Sequence, residues 1–250
     1  MPIALLTDFG TRDPYVAVMK GVIASRTAEV IHDLTHEISP FGVWQAAFFL
    51  RDVIDYWPKG TIFVCVVDPG VGTGRRIVAV AADERIFLAP DNGLLTFVEG
   101  EARAITNEEL FLHSASTTFH GRDRFATVAA ALANGLPLET LGPRIADRVR
   151  LAYDAPSYGR DRIDGTIVAI DRFGNLITDV EAKRIVFPRF ALHAAGHVIA
   201  RLERNYGDAA PGPFLIVGST GRIEISVSNA SAAELLKLGR REGVAVLPHS

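Results

Sequence analysis

The sequence predicts an α/β fold, an N-terminal three-layer α/β domain with a central sheet followed by a smaller C-terminal antiparallel β-barrel. Three observations carry this expectation. Through the first 150 residues, short β-rich runs alternate with helical patterns, the signature of layered α/β folds. Beyond residue 164, β-rich pieces separated by glycine turns dominate, as in a small barrel or sandwich. Between the two, "YDAPSYGRDRIDG" is polar and carries Pro and Gly, so residues 151–163 read as a linker joining domains 1–150 and 164–250. A chain of 250 residues is long enough for two such cores.

The elements follow in order. "IALLTDF" (3–9) reads as a buried strand ending in an acid, and after the turn residues "GTRDP" the stretch from Tyr15 to Arg26 reads as a helix. "EVIHDLT" is the next strand. Pro40 then opens the clearest helix, in which Val43, Ala47, Leu50, Ile54 and Trp57 recur at spacings of four, three, four and three, one face of a 3.6-residue period. Pro58 and Gly60 stop it. "TIFVCVVD" is a third buried strand, "IVAVAAD" and "RIFLAPD" a pair of strands, and "DRFATVAAALANG" a helix closed by Gly135. In the second half, "GTIVAIDRFGNLITDV", "ALHAAGHVIARL", "GPFLIVGSTGRIEISVS" and "GVAVLPHS" are β-rich, with one short helical candidate at 231–238.

Composition excludes several classes of function. Lys plus Arg is 26 and Asp plus Glu is 29, a net charge of −3 without long runs of one sign. This is not the electrostatic footprint of a nucleic-acid or anionic-membrane binder. The single Cys65 allows no internal disulfide, and its apolar run suits a buried, unreactive thiol. No basic leader precedes an apolar core, and no stretch reaches the roughly 18 apolar residues of a membrane span. The expectation is a soluble, cytoplasmic protein.

Ligands of open α/β sheets collect beyond the carboxyl ends of the strands. Asp8, Asp33 and Asp68 are read at such ends, and three acids followed by turn chemistry favour a polar site. The glycine-rich stretch "VVDPGVGTGRR" (66–76) is not a P-loop, because it lacks the lysine and hydroxyl that meet phosphates and magnesium and because Asp68 would repel a phosphate. It leads into a strand, not into a helix whose N-terminus could hold a pyrophosphate. Spacing alone leaves a structural turn or an acid-plus-guanidinium site. His120 precedes a glycine and the helix begun by Arg122 and Asp123, so its ring could face the same crevice, or serve structure. His32 and His36 have the i, i+4 spacing of helical metal ligands but lie in a β-branched run, so no metal site is expected. "DRFGNLIT" (171–178) suits a purine through stacking on Phe173 and hydrogen bonding to Asn175; "GSTGRIEIS" (218–226) adds Ser219 and Glu224. Both stretches equally suit turns of a small barrel.

"LLTDFG", "DLTHEISPF", "VVDPGVG" followed by Arg75, "APDNGLLT", "TTFHGRDRFA", "DRFGNLIT" and "GSTGRIEISV", in this order and over nearly the whole chain, resemble the S-adenosylmethionine hydrolase (adenosine-forming) family. Its relatives include fluorinating and chlorinating enzymes acting on the same substrate. The resemblance implies an N-terminal α/β domain, a C-terminal β-barrel, and a homotrimer with each site between the N-terminal domain of one chain and the C-terminal domain of the next. It implies a catalytic set of Asp68, Arg75 and His120, with Arg75 chosen over Arg76 by its place in the motif. By the same resemblance, Asp8 is the ribose-binding acid, Asp13 faces the methionine amino group, and Phe41 stands at an aromatic wall. Phe173 and Asn175 match adenine contacts, Ser219 and Glu224 the grip on the methionine end, and the backbone around Ala230 the adenine edge.

The implied reaction is in-line attack of water on the ribose C5′ of S-adenosylmethionine, with Asp68 and His120 orienting the water and accepting its proton. Neither metal nor cofactor is expected, because the sulfonium already carries the positive charge of the leaving group. The fluorinating relatives carry a tyrosine at the position of Asp68 and a serine at that of Gly121. The chlorinating type shares the glycine, so Asp68, Arg75 and His120 distinguish the hydrolase. The alternatives are a halide-using nucleoside synthase of chlorinase type and a non-catalytic S-adenosylmethionine or adenosine binding module.

Overall fold

The computed structural model describes residues 1–113, 117–207 and 209–249. The chain is mixed α/β with two sheets, and it divides into two compact units, Met1–Ala152 and Tyr153–Ser250.

The N-terminal unit runs β1 (Ile3–Thr7), α1 (Tyr15–Ala24), β2 (Ile31–Thr35), α2 (Val43–Val53), β3 (Ile62–Val66), β4 (Ile77–Ala82), β5 (Arg85–Pro90), β6 (Glu101–Ala104), α3 (Ala126–Ala133) and β7 (Arg144–Ile145). Its seven-stranded sheet has the order β2-β1-β3-β5-β4-β6-β7. The ladders from β2 through β5 are parallel, and those joining β5, β4, β6 and β7 are antiparallel. Alternation along the strands divides the core. Ile3 and Leu5 of β1 and Ile62 and Val64 of β3 pack with residues of α1 and α3, whereas Ala4, Leu6, Phe63 and Cys65 pack with Ala46 and Leu50 of α2. The 3.6-residue face of α2 thus meets the sheet, and Val43, Ile54 and Trp57 extend it as partly buried neighbours. Cys65 is fully buried, and burial pushes its thiol pKa well above the ordinary range.

Two local expectations are corrected. The helix read from "DRFATVAAALANG" opens earlier than Asp123, as a π-turn over Gly121–Phe125 that continues into α3. Asp33 does not stand at a strand end: it lies within β2, paired to Lys20 at 2.6 Å and to His36 at 2.9 Å.

The C-terminal unit contains β8 (Ser157–Tyr158), β9 (Ile163–Ile170), β10 (Leu176–Glu181), β11 (Phe190–Ala194), β12 (His197–Ile199), β13 (Leu202–Glu203), β14 (Pro213–Val217), β15 (Arg222–Val227), α4 (Ala232–Leu236) and β16 (Gly243–Pro248). Its nine-stranded sheet curls as a half-barrel in the order β12-β11-β16-β9-β10-β15-β14-β13, with β8 on β9. Not every ladder is antiparallel: β13 and β14 run parallel. The core gathers Ile167, Leu176, Leu192, Leu215, Ile225 and Val246 with Ala232 and Leu236 of α4. Among the described residues no helix is long and apolar enough to cross a membrane.

Candidate active site

In the N-terminal unit the strand order reverses at β1, which has β2 on one side and β3 on the other. Such a switch point is where open α/β sheets bind ligands. β1 and β3 are parallel and in register, with Thr7 opposite Val66. Asp8 leaves one strand end and Asp68 the neighbouring one, so two carboxylates emerge side by side.

Beyond Asp68 the glycine-rich stretch is a tight return. The Asp68 carboxylate accepts the Gly70 N–H at 3.2 Å through Oδ1, and Thr73 Oγ1 donates to the Gly70 carbonyl at 2.7 Å. Gly72 takes φ +81°, a backbone conformation that favours glycine. The return brings the Arg75 guanidinium onto Asp68 Oδ2. Arg75 Nη2 also lies 3.5 Å from His120 Nδ1. Asp68 and Arg75 have side chains 5% and 10% exposed, and His120 is 4% exposed, so the three form one nearly dry cluster. Arg76 turns elsewhere, to Asp91 at 2.7 Å and Asp147 at 2.9 Å. The geometry therefore joins Arg75, not Arg76, to Asp68 and His120.

Burial, reinforced by the positive charges of Arg124 and Arg75, pushes the His120 pKa down and keeps the imidazole neutral near pH 7. A guanidinium can only donate, so a hydrogen bond from Arg75 to Nδ1 is made by the tautomer that carries its ring proton on Nε2. Asp8 is held by accepting the Phe41 N–H at 2.8 Å. Burial and the Asp68 charge raise its carboxyl pKa. Phe41 sits at φ +65° with its ring 70% exposed, and Asp13 is exposed on the turn before α1. Asp68 and His120 share a cavity of about 250 Å³ with Phe9, Tyr15, Val66, Val71, Thr118, Phe119 and Gly121.

The motif "APDNGLLT" holds this cluster from outside. Asn92 Nδ2 donates to the Val67 carbonyl at 2.9 Å, directly before Asp68, and Asp91 binds Arg76, directly after Arg75. Both ends of the return are thereby clamped, a role invisible in the sequence because neither residue touches the cavity. His32 packs against Trp57 and His36 bonds Thr7 and Asp33, so these two histidines serve structure.

The C-terminal unit has its own cavity, of about 780 Å³, lined by Asp171, Phe173, Asn175, Tyr206, Gly207, Ala209 and residues 227–231. Asp171 Oδ1 accepts the backbone N–H groups of Phe173 and Asn175, both at 2.9 Å, and its Oδ2 accepts Asn175 Nδ2 at 2.8 Å. This fixes Phe173, 76% exposed, on the rim and leaves Asn175 Oδ1 as an acceptor. Ala230 is exposed on the same rim, and Ser219 is exposed on the turn between β14 and β15. Glu224 does not line the cavity. It is 6% exposed in β15, its carboxyl lies over the Gly218 backbone, and Tyr206 Oη donates to its Oε2 at 3.2 Å. Burial, with repulsion from Asp171, raises the Glu224 pKa, and the Tyr206 hydroxyl is pushed up to about 12. Sequence reading missed Tyr206, which lies in a polar turn-forming stretch, and gave the acid of "DRFGNLIT", Asp171, no role of its own, because it acts only through the residues it holds.

Residues 3–142 match the SAM hydroxide adenosyltransferase N-terminal domain, and residues 165–245 match the C-terminal domain of the same name. The chain is 37% identical to the (R)-S-adenosyl-L-methionine hydrolase of Thermus thermophilus, over 98% of each protein. A fluorinase of an Actinoplanes species is 33% identical over 71% of each. The crystal structure of an uncharacterized conserved protein from Thermotoga maritima superposes with a TM-score of 0.89 at 33% identity, covering 98% of this chain and 99% of that one. With both domains matched in order along one chain, the protein belongs to the SAM hydroxide adenosyltransferase family.

Proposed function

We propose that the protein is an S-adenosyl-L-methionine hydrolase that forms adenosine and L-methionine by in-line attack of water on the ribose C5′. The observation that carries this reading is the convergence of Asp68, Arg75 and His120 in one cluster at the sheet's switch point, with Asp68 and His120 lining one cavity.

The chemistry sets the roles. A carboxylic acid of pKa about 4 faces water of pKa about 16, a gap of roughly 12 units or about 16 kcal/mol, so hydroxide is not formed beforehand. Asp68 accepts the proton as the C–O bond forms, a general-base contribution of about 10²- to 10⁴-fold. Arg75 fixes the Asp68 carboxylate. His120 orients the water together with Asp68; in the tautomer that accepts from Arg75, its Nε2–H donates to that water. The sulfur departs with the C–S electron pair as a neutral thioether, so neither metal nor cofactor is needed.

Asp8 holds the ribose, and its position beside Asp68 sets C5′ next to the water. Asp13 and Ser219 take the amino-acid end. Phe173 stacks on adenine, the Asn175 oxygen accepts from its amino group, and the backbone at Ala230 meets its edge. Phe41 supplies an aromatic wall. Glu224, assigned to the methionine end from its motif, acts indirectly by holding Tyr206 against the adenine cavity. The purine-suited residues occur in one unit and the acid–guanidinium cluster in the other, which supports a homotrimer in which neighbouring chains complete each site. The same reading takes residues 1–150 as a three-layer domain, 151–163 as the linker and 164–250 as a barrel domain, in a cytoplasmic protein whose single thiol is buried.

Incubation with S-adenosylmethionine, with and without chloride, followed by chromatography tests the reading. Adenosine and methionine in both arms support it. A 5′-chlorinated nucleoside indicates the halide-using alternative, and unchanged substrate the binding module.

A further inference from the structure

Apart from Thr118, the rest of the cavity holding Asp68 and His120 is walled by apolar and aromatic residues. Phe9, Tyr15 and Phe119 form a corner within it. The Phe9 and Tyr15 centroids are 5.6 Å apart with planes at 54°, and Phe119 meets Phe9 at 6.0 Å and Tyr15 at 5.2 Å, edge-on to both. Inclined rings bring several negative faces to bear on one point, the arrangement that recognises onium cations. Arg122 already lies 5.3 Å over the Phe119 ring, a cation seated on one member of the group. Phe119 therefore serves as the brace, leaving Phe9 and Tyr15 to meet a ligand. Gly121 forms part of the wall beside them. A Cβ there would come within 2.9 Å of Met19 Sδ and 3.0 Å of Phe119, so Gly121 lets the Phe119 and Phe9 rings pack directly against the backbone, and a side chain at this position would push the corner out of place.

Backside attack requires the leaving sulfur to lie within a few ångströms of the nucleophile, on the far side of C5′. A sulfur leaving a water held by Asp68 therefore departs inside this same cavity.

We propose that Tyr15 and Phe9 form a cation–π subsite for the sulfonium, selecting charged sulfonium substrates over neutral thioethers. This rests on the S-adenosylmethionine reading above. The subsite acts on the ground state. Sulfur loses its positive charge as the C–S bond breaks, so the rings hold the substrate more strongly than the transition state and release the neutral product. They tighten substrate binding without raising kcat.

The test compares Tyr15→Leu and Tyr15→Phe, each in an Asp68→Asn background that spares the substrate. Calorimetry gives affinities for S-adenosylmethionine and for the neutral thioether S-adenosylhomocysteine. Tyr15 is 45% exposed, so the leucine variant is expected to fold, which its melting temperature checks. The proposal expects Tyr15→Leu to weaken sulfonium binding about three- to thirty-fold, with thioether binding within about twofold. It expects Tyr15→Phe to bind both as the parent does. Phe9→Leu should show the same asymmetry. Equal losses for both ligands would reveal a plain apolar wall and overturn the proposal. Unchanged sulfonium affinity in Tyr15→Leu, or loss in Tyr15→Phe equal to that in Tyr15→Leu, would overturn it too. With Asp68 intact, a fall in kcat at unchanged KM in Tyr15→Leu contradicts a ground-state subsite. A parent protein that binds S-adenosylmethionine but releases no adenosine refutes the hydrolase reading and leaves the affinity comparison intact.

Discussion

Asp68, Arg75 and His120 of the N-terminal unit are buried and already joined to one another, whereas Phe173 and Ala230 of the C-terminal unit stand exposed around an open cavity and Ser219 is exposed on the turn between β14 and β15. The first set is assembled by the fold: a strand end, a two-turn return and the start of a helix meet, and Asn92 and Arg76 clamp the return from outside. The second set is displayed, with Asp171 holding the loop that carries Phe173 and Asn175. Groups that move protons are preorganised before substrate arrives, and groups that recognise a flat base keep their faces open to it. The difference predicts that variants of the first set damage turnover and those of the second damage binding.

The largest effect expected is from Asp68→Asn, which should lower kcat about 10²- to 10⁴-fold with KM changed far less. Steady-state kinetics with S-adenosylmethionine checks this, and turnover near the parental rate would remove Asp68 from the chemistry. Phe173→Ala should act the other way, raising KM about five- to 150-fold with kcat preserved, the equivalent of a base–aromatic stacking energy of about 1–3 kcal/mol. If Phe173→Ala instead lowered kcat at constant KM, the division between the two sets would fail.

These two sets also differed in how far the sequence revealed them. Asp8 and Asp68 were legible because buried β-rich runs end in them, and strand ends are where layered folds place ligands. Asp33 followed the same pattern and misled, since the strand extends two residues past it and Lys20 and His36 neutralise it. The alternating elements and the face of α2 were plain because periodicity records burial directly. The parallel ladder of β13 with β14 was not, since pairing direction leaves no trace in a partner strand of two residues. Asn92, Asp91 and Asp171 were given no role because they work by holding another residue, and that partner is remote or indistinguishable in sequence from an ordinary turn neighbour. Tyr206 went unread because it reaches its cavity from a polar, turn-forming stretch, held there by a remote Glu224.

Acid should weaken the reaction through two groups. His120, its pKa depressed by burial and by neighbouring cations, stays neutral through pH 7 and takes up a proton only below the ordinary imidazole range, on the Nδ1 that faces Arg75, where the two cations repel and the cluster loosens. Asp8, its pKa raised, protonates at a higher pH than an ordinary aspartate as acid is added and stops accepting from the ribose. A plot of kcat/KM is therefore expected to be flat above about pH 6.5 and to fall below it. A fall beginning above pH 7 would mean that His120 is not held neutral.

The smallest catalytic effect expected is from Arg76→Met. It removes the clamp on Asp91 and Asp147 and should lower the melting temperature by several degrees while changing kcat less than tenfold. Arg75→Met should abolish most turnover and cost about 3–5 kcal/mol of stability, because it leaves the Asp68 carboxylate buried without its partner. Reversal of that order would exchange the roles of the two arginines.

The central claim is that water held by Asp68 attacks C5′. Turnover of S-adenosylmethionine in ¹⁸O-enriched water, with mass spectrometry of the products, tests it most directly. The account predicts adenosine carrying one heavy oxygen at its 5′ position and methionine without label. Unlabelled adenosine, or label found in methionine, would contradict it.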